Sequence, residues 1–265
     1  MTFKRKGALT KTIAIISDTH CGSIYGLTPP TFFRKADKKY YDLQSESWDR
    51  YALMADKWKT PDILLANGDM IEGTQSKQGG AELITPDRNT QSDMAIEALK
   101  LWDAKRILMT YGTKYHVGEQ AEDFEYGIAK QLGATIEGRL FFTVEGMTFD
   151  VRHKVNSSAV PHGRATALLR ETMWNLIKEA QNTGPKVNVV VRSHAHYHMW
   201  VETPGKVSFI TPALQLSRGR YGARECVGET HWGAIRLTVD QGQIVGKDVM
   251  VWNLRANKPK VIKIR

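Results

Sequence analysis

The sequence predicts an α/β fold with a β-rich tail, and three observations lead there. Short apolar, β-branched runs recur at strand length. Amphipathic segments of helical length separate them over the first two-thirds of the chain. After residue 193 the strand-like runs continue with no helical segment between them. Alternation of the first kind builds βαβ units, and the second pattern reads as a β meander.

The elements follow in order. "TIAIISD" (residues 12–18) is a buried strand ending on an acid. In "SESWDRYALMADKWK" (45–59), Trp48, Tyr51, Ala52, Ala55 and Trp58 share one side of a helix, which Pro61 stops. "DILLANGD" (62–69) is the second strand and again ends in an acid. A helix over about 90–104 leads to strand "RILMTYG" (106–112), and a helix over about 119–132 follows. "RLFFTVEGMTFDVRH" (139–153) reads as a hairpin turning at "EG". A long helix spans about 164–181 between Gly163 and Gly184, and "KVNVVVRS" (186–193) is the next buried strand. Strands at 207–210, 233–239 and 244–252 complete the chain. Residues 73–86, containing "KQGG", form the longest stretch without a predicted element, and such loops often line sites.

The 265 residues are 42% hydrophobic and 25% charged, an ordinary globular composition. No apolar run approaches the roughly 18 residues of a membrane span. The N-terminal apolar run is brief and lacks a small-residue cleavage site, so it reads as a first strand and not as a signal peptide. Cys21 and Cys226 are the only cysteines, too few for a disulfide framework, so the expected location is cytoplasmic. The net charge of +9, part of it in residues 4–6 and 258–265, favours polyanionic partners.

Chemistry concentrates where the strands end. The first delivers Asp18 and His20 ("SDTH"). The second delivers Asn67, Asp69 and Glu72 ("NGDMIE"), and the third Thr113 and His116 ("GTKYH"). The hairpin contributes Asp150 and His153, and the valine-rich strand His194, His196 and His198 ("SHAHYH"). Ligands of open α/β sheets bind beyond the carboxyl ends of the strands. On an extended chain the three alternate histidines would point the same way. Imidazole and carboxylate ligands without sulfur suit Mn²⁺ first, with Fe or Zn²⁺ as alternatives. There are more candidate ligands than one ion needs, which points to two divalent ions sharing a carboxylate. Such a pair clamps a phosphoryl group. Cys21, beside His20, reads as packing.

The series D-x-H, G-D-x-x-E, Gly-x-x-x-His, a lone His and H-x-H resembles the motif order of the calcineurin-like metallophosphoesterase superfamily, over about residues 13–211. "SDTH", "NGD" and "SHAH" carry the likeness. The resemblance implies a four-layer αββα sandwich of two mixed β-sheets flanked by helices. It implies a single domain (1–265), with a motif-bearing core over about 12–211 and a β-rich part over 212–265. It also implies a ligand set: Asp18, His20 and His196 on one metal, Asp69 bridging, His153 and His194 on the second. His116 is implied as the proton donor to the leaving oxygen. The third motif departs from the family's G-N-H-[DE]. Thr113 stands where Asn is usual and His116 comes two residues late, so His116 is either the acid or itself a ligand. Ser193 replaces a glycine that serves only the backbone.

The function implied is dinuclear-metal-dependent hydrolysis of a phosphoester by a metal-bridging hydroxide. The basic charge tilts it towards nucleic-acid phosphodiesters, DNA or RNA. A phosphomonoesterase acting on small molecules or phosphoproteins is one alternative, and a catalytically inactive scaffold with this fold is another. The compact chain without accessory domains is similar to phage-encoded members of the superfamily. Substrate contacts are expected from Arg220 and Arg224 in the loop "SRGRYGARE", which also holds Arg218 and Tyr221, since guanidinium forks and an aromatic suit phosphodiesters and bases. His162 and Arg164, at a helix start, suit an anion, and His198 completes the set. His231 opens a strand and reads as packing. The run "HAHYH" also resembles the H-x-H-x-D-H ligands of metallo-β-lactamase-fold hydrolases. It lacks their aspartate, and that scheme gives Asp18 and Asp69 no role.

Overall fold

The computed structural model describes residues 10–35, 37–117, 123–156, 158, 160–216, 230–252 and 262–263. In chain order the elements are β1 (Lys11–Ile16), α1 (Lys38–Lys57), β2 (Ile63–Asn67), α2 (Arg88–Lys100), β3 (Ile107–Thr110), α3 (Lys114–Val117), α4 (Phe124–Leu132), β4 (Thr135–Glu137), β5 (Leu140–Val144), β6 (Met147–Lys154), α5 (Arg164–Ala180), β7 (Val189–Ser193), β8 (Met199–Thr203), β9 (Lys206–Ile210), β10 (Trp232–Asp240) and β11 (Gln243–Trp252).

The strands form two mixed sheets, ordered β11-β10-β1-β2-β3-β4 and β5-β6-β7-β9-β8. Within the first, β1, β2, β3 and β4 run parallel, while β10 pairs antiparallel with β1. Within the second, β6, β7 and β9 are parallel.

Period-two alternation explains the layering. In β1, Ile13 and Ile15, with Leu65 of β2, face the second sheet, where they pack with Phe149, Val151, Val189, Val191 and Phe209. Ala14 and Ile16 face the other way, onto Tyr51 and Met54 of α1, Trp58 just after it and Met94 of α2. Residues of β7 and β9 divide similarly, and Ile210 packs outward on Ala167 and Leu168 of α5. Three apolar seams thus separate four layers: helices, sheet, sheet, helix. This is the α/β architecture expected.

Several boundaries differ from the sequence reading. Helix α1 begins at Lys38, seven residues before the predicted start. Helix α4 begins at Phe124, where the Asp123 side chain accepts the Tyr126 N–H; residues 118–122 lie outside the described set. Strands β4 and β8 were not foreseen. The tail is not one meander, because its strands divide between sheets: β8 and β9 pair in the second, β10 and β11 in the first. No described helix is long and apolar enough to cross a membrane.

Candidate metal centre

The carboxyl ends of β1, β2 and β3 in one sheet and β6 and β7 in the other meet at the same end of the sandwich. Backbone bonds weld the loops after β1 and β2: Asp18 N–H donates to Gly68 O (3.0 Å) and His20 N–H to Asp69 O (3.1 Å). The strand-end residues gather there in three overlapping groups: Asp18, His20 and His196; Asp69, His153 and His194; and His20, Asp69 and His116. Within each group the nearest ligand atoms lie within 4.8 Å of one another.

The first two groups touch. Asp18 Oδ1 lies 3.1 Å from His196 Nε2 and 3.9 Å from both His20 Nε2 and His153 Nε2. Asp69 Oδ2 lies 2.9 Å from His153 Nε2 and 3.9 Å from His194 Nδ1. All of these side chains are buried except that of His194, which is 35% exposed and marks the solvent side of the centre.

The expectation of an extended H-x-H run is corrected. Strand β7 ends at Ser193, and His194 and His196 both have left-handed backbone, φ 70° and 57°. Two such turns aim the rings at different groups, which a flat strand could not do. Asp18 (53°), His20 (45°) and Asp69 (55°) share this conformation.

Neighbouring groups set the ring orientations. His153 Nδ1 donates to Asn67 O at 2.7 Å, leaving Nε2 to face Asp69. His20 Nδ1 lies 2.8 Å from Glu72 Oε2 and turns its Nε2 inward. Glu72 is itself held by Gln75 Nε2 (2.8 Å). Histidine ligands of metals are typically oriented this way through their second nitrogen. Gly68 makes room: its φ is +76°, and a Cβ there would lie 2.6 Å from the His153 ring.

The donor set fits cations. Among the described residues, the buried His20 Nε2 has no hydrogen-bond partner, and the buried Asp18 Oδ1 and His153 Nε2 face only other members of the donor set. With Nδ1 donating to Asn67, a neutral His153 would point a lone pair at the Asp69 carboxylate, so a positive charge is needed between them. Burial opposes charge on His153, yet the Asp69 and Asp18 carboxylates push its pKa up to about 10. Burial likewise opposes charge on Asp69, and His153 and His116 hold its carboxyl well below the usual range.

Thr113 meets the Asp69 carboxylate: its N–H donates to Oδ1 at 2.6 Å and its hydroxyl to the same oxygen at 3.2 Å. His116, on α3, donates from Nδ1 to Glu72 O (2.8 Å) and sets its ring edge against His20, centroids 4.5 Å apart. It therefore stands beside the Asp18–His20 group. Ser193 is more than a replaced glycine. Its hydroxyl bonds Thr211 (2.6 Å) and accepts from Asn67 Nδ2 (2.5 Å), and Thr211 bonds Ser17 (2.7 Å). Asn67 Oδ1 accepts from Thr110 (2.6 Å), so this buried chain ties the ends of β1, β2, β3 and β7 beneath the site.

Other expected residues lie elsewhere. His198 joins none of the three groups; Nδ1 donates to Ile210 O (2.9 Å), its backbone N–H donates to His231 Nδ1 (2.9 Å), and burial lowers its pKa. Arg164 lays its guanidinium 4.8 Å from the centre of the Tyr197 ring, next to the His196 loop, while His162 is exposed on the turn before α5. Arg218, Arg220, Tyr221 and Arg224 lie outside the described residues, as does Cys226. Asp150 is a correction: it faces α5, bound by Arg139, Arg192 and Asn175, and so belongs to no ligand group. Cys21 is buried in the core, and burial pushes its thiol up to about 12. Sequence reasoning missed Glu125, fully buried in the first turn of α4. Burial and the nearby Asp69 charge push its carboxyl up to about 7. Nothing in an ordinary-looking helical "DFEYG" signals it.

No protein-family model matches the chain, and no curated protein matches its sequence. A solved structure does share its fold. An archaeal phosphodiesterase aligns with a TM-score of 0.50 at 12% identity, over 91% of this chain and 99% of its own. Vps29 from Cryptosporidium parvum aligns at 0.47 and 8% identity (92% and 97% covered), and a Zn²⁺ complex of Vps29 from Entamoeba histolytica at 0.44 and 11% (91% and 98%). At 12% identity, the likeness to the archaeal phosphodiesterase shows a shared fold alone.

Proposed function

We propose that the chain is a dinuclear-metal-dependent phosphoesterase. The observation that carries this reading is the pair of touching, buried Asp/His groups at the common end of both sheets. Asp18, His20 and His196 would hold one ion, His153 and His194 the other, and Asp69 would reach both. Two such ions, when bound, polarise a phosphoryl oxygen and lower the pKa of water. The chain's own residues do the positioning. Glu72 and Asn67 fix the rings of His20 and His153, and Thr113 holds the Asp69 carboxylate. His116 stands at the edge of the centre with Nδ1 anchored, so protonation at Nε2 equips it to donate to a leaving oxygen. Mn²⁺ suits the nitrogen and oxygen donors, with Fe or Zn²⁺ as alternatives.

A nucleic-acid phosphodiester is the favoured substrate, supported by the net charge of +9 and by the arginine-rich segment 218–224. Arg164, stacked on the Tyr197 ring next to the His196 loop, would supply a cation for its phosphate. A cytoplasmic location follows from the cysteine usage.

The test is hydrolysis of bis-p-nitrophenyl phosphate with Mn²⁺, beside labelled DNA, RNA and phosphomonoesters. Diester and nucleic-acid cleavage, abolished by a chelator, is expected. Cleavage of monoesters alone would overturn the nucleic-acid assignment. No bound metal and no turnover with any divalent ion would overturn the enzyme.

The orienting role of Glu72 gives a separate expectation. Glu72→Gln should weaken Mn²⁺ binding about 10–100-fold. An unchanged affinity by titration calorimetry would show that Glu72 does not orient His20.

A further inference from the structure

Besides Glu72, a second buried carboxylate beside the centre, Glu125, belongs to none of the ligand groups. The two oxygens of Glu125 accept from two different loops: Oε1 from Met70 N–H at 2.9 Å and Oε2 from Gly112 N–H at 2.6 Å. Met70 follows Asp69, and Gly112 precedes Thr113, whose N–H and hydroxyl hold Asp69 Oδ1. The contacts therefore close a ring: Glu125, Gly112, Thr113, Asp69, Met70 and back to Glu125. The loops approach so closely that a Cβ on Gly112 would collide with the Asp69 carboxylate and backbone nitrogen. Glu125 is not needed to cap α4, because Asp123 already accepts the Tyr126 N–H there at 2.8 Å. Burying a carboxylate is unfavourable unless its hydrogen bonds are met. Here both are spent on joining the loops after β2 and β3.

We propose that Glu125 is a positioning residue of the metal centre, clamping these two loops so that Thr113 presents the Asp69 carboxylate between the two ligand groups. The proposal rests on the metal-centre reading above. Glutamine at 125 would keep the volume but turn an NH₂ group towards a backbone N–H, so one arm of the clamp opens. Aspartate would keep the charge but be too short to reach both amides.

The experiment titrates wild type, Glu125→Gln and Glu125→Asp with Mn²⁺ alone, by calorimetry and by the electron paramagnetic resonance of a spin-coupled Mn²⁺ pair. Turnover of bis-p-nitrophenyl phosphate is then split into kcat and KM. The expected result is affinity for one ion lowered about 10–100-fold, loss of the coupled-pair signal, and a fall carried by kcat with KM little changed. A folded Glu125→Gln protein with wild-type affinity, signal and kcat would overturn the proposal. So would failure of both variants to fold, which would make Glu125 a folding residue only. If Glu125→Gln alone does not fold, Glu125→Asp decides by the same readings. A wild-type chain that takes up no Mn²⁺ would sink the metal-centre reading itself, whereas a binding wild type with unaffected variants sinks only the role of Glu125.

Discussion

Asp69→Asn is expected to lower phosphodiester turnover on the order of 10³-fold or more while leaving the fold intact. The contacts of Asp69 span both sides of the centre. Oδ2 faces His153 and His194, Oδ1 is held by Thr113, and the residue also groups with His20 and His116. Asparagine keeps the shape and tolerates the left-handed backbone (φ 55°) at this position. It removes the negative charge that offsets two divalent ions. Circular dichroism should be unchanged, and the stabilisation conferred by Mn²⁺ in a thermal melt should largely disappear. Full activity in this variant would show that the shared-carboxylate assignment is wrong.

The second large effect is on stability and lies on the other side of the second sheet. Asp150→Ala should cost about 3–5 kcal/mol at neutral pH, because it breaks a buried ion pair and leaves the fully buried Arg192 with only the partly exposed Glu171 to offset its charge. Arg192 is fully buried; Nη2 donates to Asp150 Oδ2 at 2.8 Å and to Glu171 Oε2 at 3.0 Å. Arg139 grips the same carboxylate with two bonds, at 2.8 and 2.7 Å. Burial disfavours the Asp150 charge, but Arg139 and Arg192 outweigh it and hold the carboxyl far below its ordinary value of 3.8. A depressed folded-state pKa means that the carboxylate stabilises the fold above the unfolded-state value and loses that contribution as pH falls towards the folded one. The stability gap between wild type and variant should therefore be constant above about pH 4–5 and narrow as the solution becomes more acid. Urea melts across that range would check it, and a gap that widens on acidification would refute the assignment.

The residues on the page as letters and the residues in the site correspond best where a strand points directly at the centre. Asp18, Asp69, His153 and His194 each stand at or just past the end of an apolar run. Pattern alone locates such positions, because a sheet whose strands run parallel presents those ends together. What pattern could not reach depends on separation in the chain. Glu125 meets Met70 across 55 residues, and His153 meets Asn67 across 86. Neither leaves a local trace. The extended reading of "SHAHYH" failed for a different reason: a histidine in a left-handed turn is spelled the same as one in a strand. The tail misled because alternation announces a strand without saying which sheet it joins. Asp150 misled because it follows the hairpin strand as His153 does, but projects from the opposite face onto α5.

The left-handed conformations of Asp18, His20, Asp69, His194 and His196 bear on how such a chain evolves. Each non-glycine residue held there costs roughly 1–2 kcal/mol, partly relieved for aspartate, whose side chain bonds locally. Selection for stability alone would remove these residues early, since a glycine at His20 or His196 relaxes the backbone at once. A lineage released from its chemistry should therefore lose its ligands before its sheets, and its descendants should melt higher than their ancestor. Under the proposed function, these residues are the part of the molecule that the fold would be more stable without, and their presence together is what continued use of the centre predicts.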